Sequence, residues 1–332
     1  MSATEPAPHP GVVAEPGGAP AIARPTWLDR IRARPGARTA VAAALPVGFV
    51  TVLLFIPYVL LLVQSFWRLK GGAITHELTL ENYQRLFGTE LYPDTILFSA
   101  GVAIRVTLFS LLLAYPLAYL IAFKVKRHKQ LMYMAVIIPL WVSYLVRAYA
   151  WKIILGQSGI LNGLLMSAGL IDQPLTFLLY SRWAVILALT HIYTPFTLMP
   201  IYAVLEAIPP ALKEASQDLY AGRWQTFRRI VLPLSLPGVL AGSTFAFVLS
   251  MGDFLAPQLL GGNDSALMVS NLVWSLFGVA YNWPLGAAVS VVVLLLTISL
   301  LWLSTRVEKA MNYAGESAGS RDRREVGMAG RV

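Results

Sequence analysis

Three ionisable side chains, Arg105, Arg147 and Asp253, stand inside or at the end of long apolar stretches. A charge in such a setting costs free energy unless it is paired or used, so each is a candidate for function. Asp253 has the chemistry to attract a cationic solute, whereas pairing with Arg147 would make it an internal ion pair with no role in binding. The residue types alone leave both readings open. Tyr144, Tyr149 and Trp151 share a stretch with Arg147, and with Trp141 they offer aromatic faces of the kind that hold an ammonium group; the same helical spacing also suits plain packing. Arg105 is expected to snorkel toward a polar boundary. His191 has no carboxylate or second histidine nearby in sequence and reads as a packing histidine rather than a proton relay. The chain has no cysteine, no Gly-x4-Gly-Lys-Ser/Thr phosphate loop and no nucleophile–base or metal-ligand grouping at useful spacing. Its chemistry is therefore expected to be binding and passage, not bond making.

The elements that position these residues follow from composition. Hydrophobic residues make up 57% of the 332 and charged residues only 13%, against about 25% charged in an ordinary soluble domain. A bilayer is the solvent that accepts such a surface, and a crossing helix needs about 20 apolar residues. Six stretches qualify: 41–67, 96–123, 131–155, 183–205, 236–259 and 284–303. The first is too long, and preceded by too long a polar region, to be a cleaved signal. An all-α membrane protein of six spans is expected, with kinks where Pro57, Pro116, Pro139, Pro195 and Pro200 remove backbone donors. Gly238 and Gly242 form a small-xxx-small pair that permits close helix approach.

Charge placement sets orientation. Most of the 26 lysines and arginines lie in the N-terminal tail, in the loops after the second and fourth spans, and in the C-terminal tail. Both termini are accordingly expected in the cytoplasm. The net charge of +9 is thus a topology signal and not a sign of nucleic-acid binding. Residues 1–38 read as a disordered basic tail, with Trp27, Leu28 and Ile31 as a possible interfacial helix, and residues 306–332 as a cytoplasmic tail. Residues 39–305 form the membrane domain. Its outer loops are expected to carry an amphipathic helix near 78–87 and short helical pieces within 156–181.

The loop after the fourth span, 206–233, has an order of its own. Pro209 and Pro210 suit a helix start, Leu212, Ala215 and Leu219 share one face with Lys213, Gln217 and Asp218 turned away, and Gly222 marks a break. Residues 224–232 then predict a second short helix stopped by Pro233. This segment, with Glu214-Ala215-Ser216 followed by Ile230-Val-Leu232-Pro233, resembles the signature loop of permease subunits of binding-protein-dependent ABC importers. The family pattern has glycine where this chain has Tyr220, and Gly222 is expected to take over that turn. The resemblance narrows to the spermidine/putrescine permeases through Leu80-Glu-Asn-Tyr83, Tyr115-Pro-Leu-Ala-Tyr119, Ile138-Pro-Leu-Trp141, Val146-Arg-Ala-Tyr-Ala-Trp151, Ile171-Asp-Gln-Pro-Leu175, Met199-Pro-Ile-Tyr202, the run 252–262 and Asn282-Trp-Pro284.

The resemblance implies a six-helix bundle of the type I ABC importer permease kind. It also implies a coupling helix at 206–233, with Glu214, Ala215, Ser216, Gly222, Ile230, Leu232 and Pro233 at or beside the docking surface. It implies as partners a cytoplasmic ATPase dimer, a second related permease and a periplasmic substrate-binding protein. ATP and magnesium would be bound by the ATPase and no cofactor by this chain. The cargo would be a polyamine entering past Asp253, Arg147, Tyr144, Tyr149 and Trp151. Another small solute, such as an opine, another amine or an aminophosphonate, uses similar machinery. A secondary transporter is the rival from a different class.

Overall fold

The computed structural model describes residues 35–262 and 267–329; Trp27, Leu28, Ile31 and most of the N-terminal tail lie outside them. The chain divides into two compact units, Met1–Tyr58 and Val59–Val332. The described part of the first is the greater part of α1 (Pro35–Gln64), which contains Pro46 and Pro57. Large apolar side chains along it, Phe49, Leu53 and Phe55 among them, are exposed, which is the pattern of a helix whose solvent is lipid.

The second unit opens with a hairpin, β1 (Arg68–Lys70) paired antiparallel to β2 (Ala73–Thr75). Gly71 and Gly72 both take positive φ in its two-residue turn, as such a turn requires. The expected amphipathic helix is α2 (Glu81–Gly88), fastened by Asn82, whose side-chain amide donates to the Ser65 and Trp67 carbonyls at 2.9 and 2.7 Å.

The core of this unit is built by three long helices packed on one another: α3 (Leu91–Phe123), α7 (Arg182–Ala207) and α10 (Leu232–Gly252). Of the spans, α7 is the most buried; Leu189, Ile192, Leu198 and Ile201 are wholly enclosed. Gly238 and Gly242 lie directly on α7. A Cβ added to Gly242 would meet the Thr197 carbonyl oxygen at 2.5 Å, and one on Gly238 would meet that of Pro200 at 2.7 Å. The small-residue pair therefore permits a contact that no side chain could occupy.

The third expected span is not one helix. It comprises α4 (Lys129–Ile137), a 3-10 turn (Ile138–Trp141) and α5 (Tyr144–Leu155), and α6 (Ile160–Ser167) follows in the expected outer loop. The first half, Lys129–Trp141, and the second, Tyr144–Ser167, meet at an angle of 91°. Pro139 removes a helix donor beside the break, and Val142 and Ser143 have extended ψ of 135° and 136°. The fifth span likewise ends earlier than 259: Asp253 is extended and the chain restarts as α11 (Leu255–Leu260). After α12 (Val269–Gly278), α13 (Trp283–Ala329) supplies the last span within Trp283–Val307. Among the described residues five helices are long and apolar enough to cross a membrane, six with the bent pair counted as one span.

Candidate functional site

Two clusters hold the residues singled out by sequence. The first is the segment between α7 and α10. Pro209 caps, and Pro210 begins, α8 (Pro210–Asp218), where a missing N–H breaks no ladder bond. Ser216 faces inward, its hydroxyl 2.7 Å from that of Thr226. Leu212, Ala215 and Leu219 are exposed, Leu219 to 82%, and Glu214 is exposed as well. An apolar stripe turned outward from a packed protein is the kind of surface another chain covers.

The end of α8 corrects one expectation. Tyr220 N–H donates to the Gln217 carbonyl and Ala221 N–H to that of Ser216, at 2.9 and 3.0 Å. This pair of bonds closes a helix on a left-handed residue. That residue is Tyr220, at φ 55°; Gly222, at φ −65°, instead caps α9 (Arg223–Thr226). The tyrosine thus adopts the backbone that the family glycine would favour, and its ring is 97% exposed.

Pro233 does not stop the second limb either. A π turn, Phe227–Val231, runs from α9 directly into α10, and Pro233 sits in the first turn of α10, where it is tolerated. Trp224 stacks on Phe227, which meets Tyr115 and Tyr119 of α3 edge-on. The Tyr115 and Ser235 hydroxyls are 2.9 Å apart. Lys129 pairs with Glu206 at 2.8 Å, joining α4 to the end of α7. These contacts tie the segment to α3 and α10; Ile230 and Leu232 beside them are half-buried and Pro233 is exposed. Lys213 is turned away from the stripe of Leu212, Ala215 and Leu219, and its amine lies 3.5 Å from the centre of the Phe123 ring.

The second cluster centres on Asp253, only 7% exposed. Its Oδ1 accepts the Leu255 and Ala256 N–H groups at 3.0 and 3.1 Å, capping α11. Its Oδ2 accepts the hydroxyls of Tyr144 and, at 2.5 Å, Tyr193. Its backbone carbonyl accepts from Ser270. A cleft of about 390 Å³ is lined by Tyr144, Tyr193, Gly252, Asp253 and Phe254 among others. The internal ion pair is not formed: among the described residues the ion pairs are Arg68–Glu81 and Lys129–Glu206. Arg147 instead lies 5.8 Å from the Tyr144 ring, with a buried Nε that has no hydrogen-bond partner.

The other aromatic candidates separate. Trp151 donates its indole N–H to His191 at 3.3 Å, which gives the histidine a packing partner. Tyr149 is exposed and does not line the cleft. Arg105 is exposed and its guanidinium lies back over Gly101, one turn toward the helix start. Tyr193, the second clamp on Asp253, was missed by sequence reading. It lies 60 residues from its partner, and nothing local distinguishes it from other tyrosines in spans.

A bundle of this kind, with a helical insertion between its fourth and fifth spans, defines a class of membrane permease. The chain belongs to the family described as the inner membrane component of binding-protein-dependent transport systems, whose model matches residues 94–313. It is a multi-pass inner-membrane permease of an ABC importer. Among its relatives is the spermidine/putrescine transport system permease protein PotB of Haemophilus influenzae. That protein is 33% identical over 273 residues, spanning 82% of this chain and 94% of the relative. PotB of Escherichia coli K12 is 34% identical over 265 residues, 79% of this chain and 95% of the relative. The inner membrane ABC transporter permease protein YdcU of the same organism is 39% identical over 237 residues, 68% of this chain and 74% of the relative. In fold the chain is similar to a permease in a bacterial alginate ABC transporter solved with an alginate pentasaccharide-bound periplasmic protein. The TM-score is 0.68 at 19% identity, covering 85% of this chain and 96% of that one.

Proposed function

We propose that this permease forms one half of a translocation pore that imports a polyamine such as spermidine or putrescine. A periplasmic binding protein would deliver the cargo, and two copies of a separate cytoplasmic ATPase, which bind the ATP and magnesium, would drive the cycle. The observation that carries the cargo assignment is the likeness to spermidine/putrescine permeases over nearly their whole length. The concentration of lysine and arginine supports a cytoplasmic position for both termini and for residues 206–233. There the exposed stripe of Leu212, Ala215 and Leu219 would seat in a groove of the ATPase, with Glu214 at its edge. ATPase closure would then move α8, and through the Phe227–Tyr115–Tyr119 contacts and the continuous α9–α10 limb it would move α3 and α10.

In the cleft, Asp253 supplies negative potential and Tyr144 supplies an aromatic face, the two attractions that suit an alkylammonium group. Arg147, with its unpartnered Nε, would repel a cation that strayed from that path. The deciding test is uptake of labelled putrescine and spermidine into liposomes holding the full complex with its cognate binding protein. ATP-dependent accumulation is expected. A binding protein that ignores polyamines but takes an opine or an aminophosphonate would replace the cargo and leave the machine. Uptake that runs on an ion gradient without ATP would sink the importer mechanism.

A further inference from the structure

A second cleft, of about 200 Å³, lies on the inward side of the 206–233 segment, between it and the last turn of α3. Three cations line it: Lys124, which caps α3, Lys213 of α8 and Arg223 of α9, with Gln217 and Thr226 adding polar groups. No carboxylate among the described residues lines it. Among the described residues neither ion pair involves these three cations. Glu214 is near enough to favour the charged form of Lys213, but burial and the neighbouring Lys129 both push that amine below its usual pKa. Three positive groups on separate elements thus face one cleft, one of them partly desolvated against the Phe123 ring, and an anion there would neutralise them.

The position says which anion. Tyr119 and Phe123, also in the lining, stand at the end of an apolar span, the level at which aromatic residues meet lipid headgroups. Lys213 and Gln217 lie on the side of α8 away from Leu212, Ala215 and Leu219, so the cleft is not part of the outward apolar stripe. Basic pockets beside membrane helices are suited to anionic headgroups. We propose that this cleft binds a phosphate group, supplied in the membrane by the headgroup of an anionic phospholipid, and that the bound headgroup ties the end of α3 to the 206–233 segment. This goes beyond the importer reading and holds for any cargo.

Native mass spectrometry of the full-length chain released from nanodiscs of phosphatidylcholine, with or without phosphatidylglycerol, tests the idea. Phosphatidylglycerol should be retained selectively. The double variant Lys213→Gln/Arg223→Gln should weaken that retention by about thirtyfold, from the loss of two surface cations. Gln217→Glu, which keeps every cation and alters an exposed side chain, should weaken it by about fivefold through an added negative charge. Lys126→Gln/Arg127→Gln, two exposed cations outside the cleft, should match the wild type. Equal retention of the two lipids, or full retention by the double variant, would overturn the proposal. In a parallel arm inorganic phosphate is the probe: saturable phosphate binding with no preference between lipids would overturn the lipid source. A double variant that keeps the lipid but loses the ATPase in pull-down would assign the cleft to a protein interface instead.

Discussion

At Asp253 one carboxylate serves four donors, two backbone amides that start α11 and two tyrosine hydroxyls from α5 and α7. Asn in its place still caps the helix but loses the charge that strengthens the tyrosine bonds. Asp253→Asn is expected to cost about 1–3 kcal/mol of stability, to leave insertion and ATPase pull-down intact, and to lower polyamine uptake at least tenfold. Normal uptake with reduced stability would reduce Asp253 to a structural clasp. Tyr220 offers a cleaner test of backbone strain. A left-handed L-residue costs about 1–2 kcal/mol, so Tyr220→Gly should leave the thermal midpoint unchanged or raise it, while Tyr220→Val, β-branched at positive φ, should lower it. Gly222→Ala should be neutral, since that backbone is extended and a Cβ meets nothing within 4 Å. The reverse order of effects would return the turn to Gly222.

At the scale of elements, contact between α7 and α10 depends on the absence of two side chains. Gly242→Ala forces a Cβ against the Thr197 carbonyl, and overpacking of this kind costs about 1–3 kcal/mol; a thermal shift in detergent measures it, and an unshifted midpoint would mean the helices separate freely. The opposite logic governs α8, whose stripe of Leu212, Ala215 and Leu219 is exposed. Ala215→Trp should therefore insert and fold normally yet lose ATPase co-purification and substrate-stimulated ATP hydrolysis. Normal values of both would show that the segment does not couple. Lys213 is a poorer choice of neutral control than its place on a sequence wheel suggests, because it rests on Phe123. Asp218→Ala, exposed and outside both the stripe and the cleft, is better.

For the whole molecule, orientation is what the coupling scheme most depends on. The chain has no cysteine, so single cysteines at Ser2, Ser320 and Thr75 can be probed in cells with an impermeant thiol reagent. With only the outer membrane opened, Thr75→Cys should label, whereas Ser2→Cys and Ser320→Cys should label only after the inner membrane is breached. Early labelling of Ser2→Cys would invert the topology and remove the 206–233 segment from the ATPase side.

Much of this protein was legible in its residues because the strongest constraints on it are local. Span length, the basic bias of some loops, the prolines before α8 and the glycine pair on α10 each follow from bilayer thickness, charge transfer or backbone sterics, none of which needs a distant partner. The family likeness was carried by short motifs in order. Other features were decided only when distant segments met. A proline in a span says that a donor is missing, not whether the helix kinks or breaks, and the 91° bend at Val142–Ser143 depends on what packs around it. Pro233 seemed a stop because a π turn cannot be read from propensity. Charge alone left Asp253 open to pairing with Arg147 or to facing a solute, and it is Tyr144 and Tyr193 that reach the carboxylate, from positions 109 and 60 residues away. Hydrogen-bond reach is a matter of a few ångströms in space, and only the tertiary packing of α5, α7 and α10 sets that distance.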